Sequence, residues 1–455
     1  MPAPMKLLML LILGFATSAA AQKPFAPPTP STTTAYRNVR IIDGTGAAPR
    51  EHATIVVTGE RIAAIVDDAR YTPPAGVAVV DLAGRTIIPG LVDSHVHMAT
   101  PPNALQAKAM LRRNLYGGVT LVRDMADDLR VVAELAREAR EGDIAAPDIV
   151  FAALMAGPSF FADPRVGAAS KGWAPGSAPW MQAIDQSTDL AQAVAMAKGT
   201  GAAAIKIYAD LPPERVAAIV AEAHRQKMLV WAHTAIFPTR PADVIAAGAD
   251  AVSHVCYLAY QLEPVMLGSY EDHTPIHANL IARDGDDPGI ALLYREMLRR
   301  GTILDATGAL FVRADAERKL HPERRPLRCT GPQTIRLAAQ AWRAGVPIST
   351  GTDHVDPADR PWPEMYAETY FLVREVGMPP LQAIRSATLH GARAAGLERD
   401  TGSIEAGKLA DLVVLARDPL ADIANIESIE LTVKHGRVFR RTDFPPLKPE
   451  EMSDR

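Results

Sequence analysis

Two hydrophobic rhythms divide the chain. From Tyr36 to about Pro89, short alternating runs ("AYRNVRIIDGTG", "ATIVVTGERIAAIV", "AVVDLAGRTIIPG") are cut by D-G, G-E and A-G turns. Period-two patterning with such punctuation predicts small antiparallel sheets. The same style returns late, in "GSIEAGKLADLVVLA" and "IELTVKHGRVFR". The two ends, residues 36–89 and 397–441, are therefore expected to pair into one small β-sandwich around an inserted middle. Between residues 90 and 396 the rhythm changes. Strand-like "GVTLVRDM", "DIVFAALMA", "AAIKIYA", "MLVWAH", "DAVSHV", "TILDATG" and "VPISTGTD" alternate with helical stretches such as "PPERVAAIVAEAHRQK" and "GPQTIRLAAQAWRAG". Repeated strand–helix units of this size call for parallel strands, most economically a (β/α)8 barrel of the TIM type. A doubly wound sheet is the runner-up, but no glycine-rich phosphate loop follows a first strand. Residues 257–300 read as a long, mostly irregular insertion, a candidate lid.

The start of the chain changes the picture of where the protein works. "MPAPMKLLMLLILGFATSAAAQ" has a lysine, an apolar stretch from Leu7 to Phe15, and a small-residue A-x-A site. That is the layout of a secretory signal peptide over residues 1–21, with cleavage expected before Gln22 and export to the periplasm or beyond. The apolar stretch is short for a bilayer span, so no stable membrane anchor is expected after cleavage. Residues 22–35 then read as a flexible leader and 442–455 as a tail. A net charge of -4 over 455 residues gives no electrostatic reason to expect a nucleic acid partner. A homo-oligomer is compatible with the sequence. Export permits disulfides, yet Cys256 and Cys329 are the two cysteines. Their pairing stays open, with two free buried thiols the favoured reading because Cys256 sits inside an apolar strand-like run.

Chemistry-bearing residues gather at strand ends. His95 and His97 close the first barrel strand in "GLVDSHVHMAT" and, by alternation, share a face. Lys206 lies on the strand "AAIKIYAD", His233 ends "MLVWAH", His254 ends "AVSH" and Asp353 ends "PISTGTD". Barrels of this kind place their chemistry at the C-terminal strand ends. Imidazole and carboxylate are ligands of Zn²⁺ and its neighbours. An ordered set of this kind points to metal binding rather than to six separate core residues.

With "IIPGLVDSHVH", "STGTD" and the closing "SATLHGARAAGLERDTGSIEAGKLADLVVLARDPL", the set resembles the amidohydrolase superfamily of metal-dependent hydrolases. The likeness is to its imidazolonepropionase-like and prolidase-like branch. That resemblance implies a centre of two divalent metal ions, with zinc favoured. His95, His97 and Asp353 would hold the first ion, and His233 and His254 the second. Lys206, carboxylated by CO2, would bridge them. It further implies hydroxide attack on a polarised carbonyl, with Asp353 moving the proton and Tyr257 steadying the oxyanion. Asp93 is expected either to orient a histidine or to lie deeper in the barrel. His354 and His390 near the mouth are candidate substrate contacts, and Arg123, Arg165 and the insertion arginines are candidate carboxylate holders.

Two departures limit substrate claims. "MAGPSFFADPRVGAASKGWAPG" lacks the histidine many prolidase-like relatives carry there, and "YADLPPE" replaces their serine- and glycine-rich turn. The expected activity is hydrolysis of an amide bond in a small molecule, an N-acyl amino acid or dipeptide. A lactone, ester or carbamate hydrolase on the same centre is the nearest alternative, and a non-catalytic binding protein a more distant one.

Overall fold

The computed structural model describes residues 33–100, 102–277, 279–281, 285–353 and 360–452. The expected signal peptide, the leader up to residue 32 and His354 lie outside the described residues. Five strands come first: β1 (Thr33–Ile41), β2 (Arg50–Thr58), β3 (Arg61–Asp67), β4 (Ala78–Asp81) and β5 (Thr86–Pro89). Residues 33–35, expected to end the leader, are already part of β1. The β1–β2 and β2–β3 pairs are antiparallel, as their tight turns demand. However, β1 runs parallel to β4 and β5. This corrects the purely antiparallel expectation: residues 68–77 carry the chain back before β4 begins, so it enters beside β1 in the same direction.

The middle of the chain forms the barrel. Its strands are β6 (Leu91–Val96), β7 (Val119–Asp124) and β8 (Asp148–Ala156), then, after the small hairpin β9 (Ser177–Ala178) and β10 (Met181–Ala183), β11 (Ala204–Ile207), β12 (Leu229–His233), β13 (Ala251–Ser253), β14 (Ile303–Asp305) and β15 (Ile348–Ser349). Apart from the hairpin, each strand pairs in parallel with the next. Two backbone hydrogen bonds draw the end of the last strand to the first: Ser94 N donates to Thr350 O at 2.7 Å, and Asp353 N donates to His95 O at 2.8 Å. The outer helices follow their sequence pattern. Helix Pro213–Arg225 starts at a proline, carries Glu214 in its first turn, and buries Val216, Ile219, Val220 and Ala223. Helix Gly331–Ala344 begins with a Thr330–Gln333 capping box and ends at the left-handed Gly345.

The chain then returns to the first sheet through β16 (Leu412–Leu415), β17 (Ile429–Lys434) and β18 (Arg437–Arg440). β16 lies antiparallel to β5, which joins the two chain ends in one sheet. Ile55, Ile87, Leu412 and Val433 are among the residues of its own buried core. The fold is thus a nearly closed (β/α)8 barrel with a separate sheet built from both ends.

Two expectations are corrected above the barrel. Cys256 and Cys329 form a disulfide rather than two free thiols. Cys256 lies in a helical turn, Val255–Leu262, instead of a strand, and that turn brings it against the segment before helix Gly331–Ala344. The insertion 257–300 is irregular only in part, because Pro288–Arg300 is a helix leading into β14.

Candidate active site

The strand ends converge. His95 Nε2 and His97 Nε2 each lie 3.4 Å from Asp353 Oδ1, and His254 Nε2 lies 3.8 Å from Asp353 Oδ2. Ligand atoms of His95, His254 and Asp353 all fall within 4.8 Å of one another. The His233 ring sits beside that of His254, with centroids 4.7 Å apart. Both His254 (φ 74) and Asp353 (φ 48) adopt left-handed backbone conformations. These are strained for such residues and are held by the structure around them.

Three imidazoles are gripped from behind by Nδ1. His95 donates to Asp305 Oδ2 at 2.7 Å and His97 to Asp127 Oδ1 at 2.9 Å. His254 Nδ1 meets Thr307 Oγ1 at 2.9 Å; that hydroxyl spends its own proton on Ala306 O, so the imidazole is the donor. Each bond fixes the tautomer that leaves Nε2 with a lone pair toward Asp353, as a metal ligand requires.

Two buried atoms in the same place lack protein partners. Lys206 Nζ and His233 Nδ1 make no hydrogen bond among the described residues. Leaving a buried amine unpaired is expensive unless another group meets it. Burial pulls the Lys206 amine down to about 7, against the opposite pull of Asp305 and Asp353. Burial likewise lowers His233 well below its usual range and His254 to about 3, so both stay neutral. Burial pushes Asp353 upward, but the surrounding His95, His97 and His254 outweigh it and keep the carboxyl ionised. Neutral His95, His233 and His254, an ionised carboxylate and orphaned buried nitrogens fit a centre built for divalent cations. His97 differs: burial lowers it, but Asp127 and Asp353 outweigh burial and raise it to about 10, so a cation bound there displaces its proton.

The centre opens into a cavity of about 330 Å³. His97, His233, His254 and Asp353 line it, as do Tyr257, Tyr208 and Tyr270. Leu154, Phe160, Met181 and Phe311 supply apolar wall, and Arg165 also lines it. Tyr270 comes from the insertion, so part of the expected lid does face the site.

Other candidates fall elsewhere. Arg123 is fully buried beneath the centre: Nε donates to Ser94 O, Nη1 to Ala394 O, and the guanidinium packs 4.4 Å from the Trp231 ring centroid. It is not a substrate contact, because β7 turns its side chain inward below the ligand layer. His390 binds Ile348 O at the start of β15, the end of the strand opposite the site, and is absent from the cavity lining. Asp93 takes the deeper position, accepting from His95 N and from Thr352 N and Oγ1 without reaching an imidazole. Asp305, Asp127 and Thr307, which bind the imidazoles of His95, His97 and His254, were not among the residues singled out from the sequence. Asp305 alone carried a signal, since it ends "TILD" as the other polar groups end their strands.

The geometry agrees with comparisons to known proteins. The model of the amidohydrolase family matches residues 86–439. Imidazolonepropionase of Hyphomonas neptunium is 25% identical over 410 residues, 86% of this chain and 93% of that protein. An N-substituted formamide deformylase of Arthrobacter pascens is 39% identical over 97 residues, 20% of this chain. That alignment spans only 18% of the deformylase, so little of its length is shared. A solved Xaa-Pro dipeptidase with bound methionine shares the fold at a TM-score of 0.70 and 24% identity, covering 90% of this chain and 100% of that one. The family match spans both the barrel and the strands that flank it, and on that basis the chain belongs to the amidohydrolase family.

Proposed function

We propose that the protein is an exported hydrolase that cleaves the amide bond of an N-acyl amino acid or dipeptide-like substrate at a centre of two divalent cations. The carrying observation is Lys206: a fully buried amine without a hydrogen-bond partner, on the strand between those of the other ligands. His95, His97 and Asp353 would hold one ion, and His233 and His254 the other. Neutral Nζ of Lys206 would add to the carbon of CO2 and release a proton, giving a carbamate anion that would join the groups able to hold the ions. Zinc suits this donor set. Bound there, the ions would polarise a carbonyl and lower the pKa of water. Export is supported by the signal-like residues 1–21.

The chain's own groups supply the rest. Asp353, ionised at the cavity floor, accepts the proton of the attacking water at Oδ and passes it to the departing nitrogen. The Tyr257 phenol lines the cavity and donates its O–H toward the developing oxyanion. Asp305, Asp127 and Thr307 keep three imidazoles aimed, and the apolar wall displaces water. The test is metal analysis and turnover of His95→Ala and Lys206→Ala. Wild type should hold about two ions per chain, and each variant should lose metal and at least ~10³-fold in kcat/KM. Retained metal with retained hydrolysis overturns the assignment. A panel of amides, lactones, esters and carbamates separates the amide activity from its relatives.

A further inference from the structure

We infer, resting on the amide-hydrolase reading above, that the enzyme selects substrates bearing a free carboxylate and an apolar side chain, and that Arg165 is the residue that recognises the carboxylate. Apart from the candidate metal ligands, Arg165 is the charged residue among those lining the cavity. Among the described residues a cationic substrate would therefore find no free counter-ion there and would meet a guanidinium; an anionic one would meet its complement.

The arginine is prepared for this task. Its Nε donates to Asp163 Oδ1 and Oδ2 at 3.1 Å each, and Nη2 to Oδ2 at 2.6 Å. Asp163 is itself fixed, because its side chain is only 8% exposed and caps the helix Pro164–Ala169. The Arg165 side chain is 55% exposed, and its Nη1 has no hydrogen bond among the described residues. One edge of the guanidinium is thus anchored and the other is open. A planar guanidinium held on one edge can receive a second carboxylate on the other with little further loss of side-chain freedom.

The same excursion between β8 and β11 supplies both halves of the specificity. Phe160, Val166 and Met181 line the cavity beside Arg165, and Leu310 and Phe311 do so from the first turn of the helix Gly308–Leu320 after β14. Of the other arginines proposed from the sequence, Arg123 is sealed beneath the centre, Arg299 and Arg300 pair with Glu296 on the helix Pro288–Arg300, Arg295 is absent from the cavity lining, and Arg283 lies outside the described residues. Arg328, beyond the insertion, spends its donors on Tyr270 O, Asp272 O and Tyr260 Oη.

The experiment compares N-benzoyl-leucine, its C-terminal carboxamide and N-benzoyl-lysine with metal-replete wild type and Arg165→Met. In wild type, the free acid of leucine should exceed both others in kcat/KM by at least tenfold. Arg165→Met should raise KM for the free acid at least tenfold, leave the carboxamide within twofold, and keep its metal content. Equal turnover of acid and carboxamide by wild type overturns the inference with no variant needed, and so does a variant that loses both substrates alike. Failure of the underlying reading looks different: no amide is hydrolysed at all, while lactones or esters are.

Discussion

At the scale of single residues, the most informative side chain is Asp305. Its Oδ2 accepts from His95 Nδ1 at 2.7 Å, from Ser253 Oγ at 2.9 Å and from Arg123 Nη2 at 3.4 Å. Burial pushes its carboxyl up, but His95 and Arg123 hold it below the usual range. An ionised Asp305 secures the imidazole tautomer and raises its basicity toward a metal. Asp305→Asn should therefore lower metal affinity about 10–100-fold. Competition with a chelator measures this, and restoration of turnover by excess metal should accompany it; unchanged affinity would reduce Asp305 to a counter-ion for Arg123. The ligand candidates were legible because each is a polar group ending an apolar run, a position that few structural residues need. Asp127 and Thr307 were not, because their contacts with His97 and His254 arise from turns that sequence spacing does not locate. Arg123 and His390 show the converse: residue type suggested substrate contact, but Arg123 points inward from β7 and His390 sits on the helical segment Ser386–His390 against the start of β15, both away from the mouth.

At the scale of elements, close approach and cross-linking hold the ligand layer. A Cβ added at Gly351 would lie 2.0 Å from Asp305 Oδ1 and 2.8 Å from His95 Cβ. Gly351→Ala must push the turn after β15 away from β6, so we expect it to cost about 1–3 kcal/mol of stability and to lower metal content. Thermal melts with metal analysis check both. The disulfide acts on the other side. It joins residues 73 apart and ties the turn bearing Tyr257 to the segment where Arg328 packs over the rings of Tyr257, Phe237, Tyr260 and Tyr270. Cys329→Ser should cost about 2–4 kcal/mol and speed proteolysis within residues 263–277 under native conditions. Equal cleavage rates in oxidised wild type and the variant would show that Arg328 and the aromatic packing suffice. Strands and helices were legible from their periods, since burial imposes those periods locally. Pairing partners were less so: the patterns of β1, β4 and β5 say strand, but only the return path of the chain decides that they run parallel.

At the scale of the whole molecule, barrel and sheet are joined by charge as well as by apolar packing. Asp148, the first residue of β8, lies 2.8 Å from both Lys434 Nζ and His435 Nε2 in the other unit. Lys434 also donates to Ala139 O, and Asp411 accepts from His435 N. Burial pushes Asp148 up, but Lys434 and His435 bring it well below its usual 3.8. Burial pulls His435 down, but the bond to Asp148 and the charge of Asp411 leave it above its usual 6.5. The signs fix a pH window. A depressed carboxyl stabilises the fold fully above pH 3.8, its unfolded value, and loses that contribution as pH falls further. A raised imidazole stabilises it fully below pH 6.5 and loses that contribution as pH rises through its folded value. The cluster should therefore contribute most between pH 3.8 and 6.5. Asp148→Asn leaves the buried Lys434 and the largely buried His435 without their carboxylate and should cost about 3 kcal/mol there, with a shrinking penalty on the alkaline side as His435 becomes neutral. Melting temperature across pH for wild type and variant measures the difference, and a penalty that ignores pH would exclude the imidazole from it. Asp148 begins β8, whereas the candidate metal ligands sit at the opposite ends of the strands. Turnover per folded molecule should thus be unchanged, which separates this joint between the units from the chemistry above the barrel.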